Sequence, residues 1–283
     1  MRRNRGYAAF AAALTVMLLF GLFGSAVAAV GEKIAVFGAD LTEAERQELA
    51  QLFQLGPDAR VDTLTTQELV TTLQGTGLPV APGDNAISSS VLTCLDKGQG
   101  LTVRTQNITR IPAAVYANAL VTAGVGDGNV LVAAPSANPV TGETALAGVL
   151  KAFPQCQGGA QPDPNRVRLA YEQVAQTVAL AGPNGDLTAT SDTMLKAAQP
   201  VITNQARDEA AVGAALDQAA ASEGVQLDPV RRANAIAFLQ RLGGADYGTY
   251  ARGYDIQEVS PNEVRVVPAG AGAPGAPAGG AAP

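Results

Sequence analysis

From residue 33 to residue 153 the chain alternates short β-prone runs with apolar residues at helical spacing. Residues 33–37 form the first run, which ends at Gly38. Thr42 follows, with Glu45 three positions on, a capping-box pair that opens a helix. Leu49, Leu52 and Phe53 give that helix its apolar stripe, and Gly56-Pro57 stops it. The grammar repeats. Residues 60–64 read as a strand, Thr65 and Glu68 as a second capping box, and Leu69, Val70 and Leu73 as the next stripe. After a Gly/Pro loop over 75–83, residues 87–95 and 101–107 read as two strands. The turn-forming Asp96-Lys97-Gly98-Gln99-Gly100 between them predicts a hairpin. Pro112 opens a helix over 113–123 that Gly124 ends as a C-cap. Residues 129–134 read as a buried strand closed by Pro135, and 144–153 as a last helix. The order β-α-β-α-β-β-α-β-α predicts an α/β fold with a mixed sheet and helices over residues 29–156.

The pattern changes after a Gly/Pro/Gln linker at 157–164, where only helical periods are read. Asp163-Pro164 is an N-cap with proline at the first helical position. Val167, Tyr171, Val174, Val178 and Ala181 then recur at spacings of three and four. A second helix is expected near Ser191 with a break at Pro200, a third over 206–221, and a fourth from Asp228-Pro229 carrying Ile236, Leu239 and Leu242. Residues 165–255 are thus expected to form a small all-α helical domain. Residues 256–283 are expected to be a C-terminal segment. Its last stretch, 268–283, holds only Pro, Ala and Gly and is expected to be a disordered tail.

The amino terminus changes the compartment. Arg2, Arg3 and Arg5 precede an uncharged apolar run, and Ala26-Val27-Ala28 gives the small-x-small pattern of a signal-peptidase site. Residues 1–28 read as a signal peptide cleaved before Ala29; the alternative is an uncleaved anchor, since the uncharged run is long enough to span a bilayer. Losing three arginines takes the formal net charge from −6 to −9. Such a surface repels phosphate backbones and anionic lipid, so neither nucleic acid nor, after cleavage, a membrane is an expected partner. Cys94 and Cys156 are an even pair in an exported chain and are expected to form a disulfide; two separately buried thiols are the alternative.

Several strings in the chain resemble a known family. They are Gly38-Ala39-Asp40-Leu41-Thr42, Asn107-Ile108-Thr109, Tyr116-Ala117-Asn118-Ala119-Leu120, Thr122-Ala123-Gly124, Ala134-Pro135, and the run from Val140-Thr141-Gly142-Glu143 to Lys151-Ala152-Phe153. In content, order and spacing they are similar to the domain-of-unknown-function 1002 family of exported bacterial proteins. The resemblance is strong over 31–156 and weaker over the helical part. It implies a signal peptide, an α/β domain and a helical C-terminal part, and no established activity.

Chemistry is narrowed most by the absence of histidine from the sequence. Ser-His and Cys-His nucleophilic sites, His-ligated zinc and imidazole bases are excluded, and no cofactor is expected. Carboxylate pairs and a Ser-Lys dyad remain open, but no motif joins a lysine to a serine. The candidate binding residues are Asp40, Asn107, Thr109, Thr141 and Glu143. Asp40 and Thr141–Glu143 each follow a strand and precede a helix, the usual ligand side of an α/β sheet. Against each stands the plainer role of turn former or cap. The expected function is a non-enzymatic cell-envelope or secreted protein that binds an envelope or extracellular protein or a wall component. The alternative is an extracytoplasmic hydrolase using carboxylates or Ser-Lys.

Overall fold

The computed structural model describes residues 28–57, 59–156, 161–260 and 262–270. The expected signal peptide, but for Ala28, and the tail beyond residue 270 lie outside them. Ala28 is buried, and its N–H donates to the Gln155 carbonyl (2.9 Å), a contact that cleavage before Ala29 would remove.

The fold is α/β, as the alternation predicts. In chain order the elements are β1 (Lys33–Gly38), α1 (Glu43–Leu52), β2 (Arg60–Leu64), α2 (Thr66–Leu73), β3 (Ser89–Thr93), β4 (Leu101–Gln106), α3 (Ala113–Ala123), β5 (Gly128–Ala133), α4 (Glu143–Cys156), α5 (Pro164–Ala181), α6 (Leu187–Thr203), α7 (Glu209–Glu223), α8 (Pro229–Leu242), β6 (Tyr254–Ser260) and β7 (Glu263–Pro268). Both predicted capping boxes form. The Thr42 and Thr65 hydroxyls accept the Glu45 and Glu68 N–H groups, and each glutamate answers on the cap backbone.

The strands make one seven-stranded sheet in the order β2-β1-β3-β5-β4-β7-β6. Three sequence expectations are corrected by the structure. The 87–107 region is not a hairpin: β3 pairs with β1 and β5, β4 pairs with β5 and β7, and β5 lies between them. The turn chemistry is real but serves another partner. The Asp127 carboxylate before β5 accepts the Gly98 and Gly100 N–H groups (2.9 and 2.7 Å), tying the 96–100 loop to the incoming strand. Strands also return after the helices. β6 and β7 form an antiparallel hairpin, and β7 completes the exposed edge of β4. The helical break expected at Pro200 does not occur either; α6 runs through it to Thr203.

Side chains alternate across the sheet, and its two faces differ. One face presents Ile34, Val36, Leu92, Leu101, Val103, Val130, Val132, Val264 and Val266 to the large core built with the helical layer. Full burial of each such side chain contributes about 1.5–3 kcal/mol. Helix α4 approaches β1 and β3 closely through Gly148: a Cβ there would lie 2.7 Å from Ser90 Oγ. The opposite face has a small cluster in which Leu49 and Phe53 of the α1 region cover Ala35, Phe37, Val91 and Ala133. Leu131 on β5 is the last sheet residue packed against it.

Candidate functional site

Four strands share one direction. β2 is parallel to β1, β4 is parallel to β5, and β3 runs antiparallel to both β1 and β5. The loops after Gly38, Leu64, Gln106 and Ala133 therefore emerge at one edge of the sheet, where the sequence places its candidate residues. Asn107 takes a left-handed conformation (φ 57°) and donates its side-chain N–H to the Ala134 carbonyl (2.9 Å). The Thr109 N–H donates to Val140 O (2.9 Å), and Ile108 and Val140 form an isolated parallel bridge. The Thr141 hydroxyl donates to the Glu143 carboxylate. Asn107, Thr109, Thr141 and Glu143 thus gather on two facing loops. Asp40 makes its bonds elsewhere, accepting the Thr66 hydroxyl (2.9 Å) and the Ala86 N–H (2.7 Å).

Other residues of the same strings lie beneath this rim. Tyr116 is fully buried and donates its hydroxyl to the Gly142 carbonyl (2.8 Å). Burial raises its pKa well above the ordinary phenol value, so it stays a donor. Gly142 has φ 113°, and a Cβ there would fall 2.1 Å from the Tyr116 hydroxyl oxygen. Asn118 donates to Ser191 Oγ (3.0 Å) and accepts from the Tyr254 hydroxyl (2.8 Å), joining α3 to α6 and β6. An asparagine in the middle of an apolar helix was the only sequence signal for this link. Arg166 donates to the Val121 and Thr122 carbonyls (both 2.7 Å) and so caps the end of α3. Cys94 and Cys156 are disulfide-bonded, their Cα atoms 5.4 Å apart, and join the end of β3 to the end of α4.

A second polar array lies on the sheet face that α1 leaves open. Register places Lys33 opposite Thr93, Thr93 opposite Asn129, Asn129 opposite Thr102, Thr102 opposite Arg265, and Arg265 opposite Gln257. Residues paired across strands point to the same side, so these six form one row over β1, β3, β5, β4, β7 and β6. Each is at least partly exposed. Lys33 donates to the Phe53 and Gln54 carbonyls at the end of α1 (2.9 and 3.1 Å). The side chains of Thr93, Asn129, Thr102, Arg265 and Gln257 make no hydrogen bond or ion pair among the described residues. A crease of about 250 Å³ between the end of α1 and the sheet, lined by Lys33, Phe53, Thr93, Arg104, Asn129 and Leu131, opens onto one end of the row. Sequence reading missed this array because its members come from six strands whose order is not the chain order.

Among the described residues no group of three His, Cys, Asp or Glu side chains is placed to hold a metal ion, and no helix is long and apolar enough to cross a membrane.

The strings that resemble a family are therefore the residues that fix the rim and tie the sheet to its helices. The chain belongs to the family described as "Protein of unknown function (DUF1002)", whose model matches residues 37–253. That span ends at Gly253, immediately before β6, so the C-terminal hairpin lies beyond it. The chain is also similar to "Uncharacterized protein YpuA" of Bacillus subtilis (strain 168), at 39% identity over 142 residues. The match covers 50% of this chain and 48% of that protein, so the chain spans about half the length of the relative. No solved structure matches the chain.

Proposed function

We propose that the chain is an exported, non-enzymatic binding protein of the cell envelope or extracellular space, and that the open part of its sheet is the binding surface. One observation carries this: five adjacent strands present Thr93, Asn129, Thr102, Arg265 and Gln257 in a row, partly exposed and unbonded among the described residues. Polar groups held on a sheet need little ordering when a ligand arrives, which favours binding. The leader pattern and the disulfide support an oxidising compartment. In this reading Asp40, Asn107, Thr109, Thr141 and Glu143 fix the loops of the rim. The carboxylates of Asp40 and Glu143 already accept bonds from the chain's own groups, which speaks against the hydrolase alternative.

The test is co-sedimentation of the exported protein with cell-envelope material from the producing organism. The double variant Thr102→Glu/Asn129→Glu is expected to lose co-sedimentation with little change in melting temperature. Normal binding by that variant, with loss in Asp40→Ala or Glu143→Ala at unchanged melting temperature, would return the site to the rim. Turnover of wall or peptide material, abolished by Asp40→Ala, would make the protein an enzyme.

A further inference from the structure

We infer that the ligand of the open face is an acidic glycan, a linear hydroxyl-rich chain that carries carboxylates. The inference rests on the binding reading above and adds the ligand's chemistry. Neighbouring strands lie about 4.8 Å apart, so the five side chains unbonded among the described residues mark a track of about 19 Å across the strands. A linear ligand meets them one after another only by crossing the strands. An extended peptide advances about 3.3 Å per residue and would fall out of step with that spacing. Peptides also add to sheet edges, where backbone groups are free, and this track lies on a face.

The groups in the track decide the rest. Thr93 and Thr102 offer hydroxyls, and Asn129 and Gln257 offer carboxamides. All four both donate and accept, which suits a partner whose hydroxyls do the same. Charge selects an acidic partner. Lys33, Arg104 and Arg265 lie on this face with Glu263 and Asp255, and both carboxylates are engaged. Glu263 pairs with Arg104 (3.3 Å), while Asp255 accepts from Gln199 (2.6 Å) and from the Gly270 N–H (3.4 Å). Arg265 has no carboxylate partner among the described residues, a local positive charge on a chain whose overall acidity repels polyanions elsewhere on its surface. Its planar fork fits a carboxylate through two parallel hydrogen bonds. The row holds no aromatic ring, so recognition rests on hydrogen bonds and charge.

The experiment is calorimetric titration of the exported protein with polygalacturonate, with neutral dextran and poly-glutamate as comparators. Polygalacturonate is expected to bind most tightly and to weaken as salt is added. Arg265→Ala should weaken it about tenfold, or about 1.4 kcal/mol. Arg265→Lys should recover only part of that loss, since it keeps the charge and loses the fork. Thr102→Ala/Asn129→Ala should weaken it with melting temperature unchanged. Poly-glutamate binding as tightly at matched charge, an unaffected Arg265→Ala, or no binding of polygalacturonate would each overturn the inference. If envelope co-sedimentation still depends on Thr102 and Asn129 in any of those cases, the glycan assignment alone fails. If it does not, the binding surface fails with it.

Discussion

Leu101 and Val103 on β4 are fully buried against the helical layer, whereas Thr102 and Arg104 beside them reach solvent on the other side. The same contrast holds on β7, where Val264 and Val266 are buried and Arg265 is exposed. Strand alternation gives every half-covered sheet such a pattern. The lesson lies in how each face satisfies its polar groups. On the covered side Asn118 bonds both Ser191 and Tyr254, because an unmet polar group there is costly, and among the described residues only Ser90 Oγ and Gln173 Nε2 are buried without a partner. On the open face five polar side chains have no partner among the described residues, and solvent can meet their hydrogen bonds at little cost.

The comparison can be broken first at the disulfide, which anchors the covered side at the ends of β3 and α4. The cysteines are 62 residues apart in sequence. Replacing both by Ala is expected to lower stability by about 4 kcal/mol in the chain-entropy model. Denaturant unfolding of the double variant against the oxidised parent checks this; an unchanged midpoint would show that the bond adds nothing to the covered face.

A sharper cut uses adjacent residues of one strand. Leu101→Ala should cost about 2–5 kcal/mol, as for other large-to-small core changes. Thr102→Ala should stay within about 0.5 kcal/mol. Equal losses in thermal or denaturant unfolding would mean that the two faces do not differ as described.

The smallest expected effect lies within the helical layer. Asp192 on α6 is half-buried, and desolvation, with Glu223 nearby, raises its pKa above the ordinary carboxylate value. The folded state therefore holds this proton more readily than the unfolded state. Stability falls as pH rises from the ordinary value of about 3.9 through the raised one. Asp192→Asn is expected to raise the melting temperature slightly at neutral pH, with the gain vanishing in acid. A gain of the same size at every pH would rule out ionisation as its cause.

Local signals were legible in the sequence and distant ones were not. Thr42 with Glu45, Thr65 with Glu68, Asp163 before Pro164 and Asp228 before Pro229 all act within one helical turn, and each caps its helix as expected. The disulfide was legible from the leader pattern and the even cysteine count. The partners of β3 and β4 were not, because turn residues at 96–100 fit a hairpin equally well. β7 did carry a period-two signal, with Val264 and Val266 between Glu263, Arg265 and Val267, but it was short and followed four helices. The five-strand polar row depended on these misread pairings and so could not be seen. Of the rim candidates, the gathering of Asn107, Thr109, Thr141 and Glu143 followed from strand direction. Their bonding to nearby backbone and to one another did not.

The hairpin β6–β7 also bears on the order in which the protein can be completed. Residues 101–104 pair with 263–266, and every helix from α3 to α8 intervenes. Contacts of such long sequence separation slow folding, since a long loop must close before they form. During synthesis the β7 side of β4 stays unpaired after β5 has emerged, and Tyr254, the partner of Asn118, emerges only after α8. A nascent chain stopped before residue 254 therefore holds an open strand edge and an Asn118 side-chain oxygen without its donor. An unpaired strand edge of this kind makes a partly folded chain prone to aggregation until the hairpin closes it.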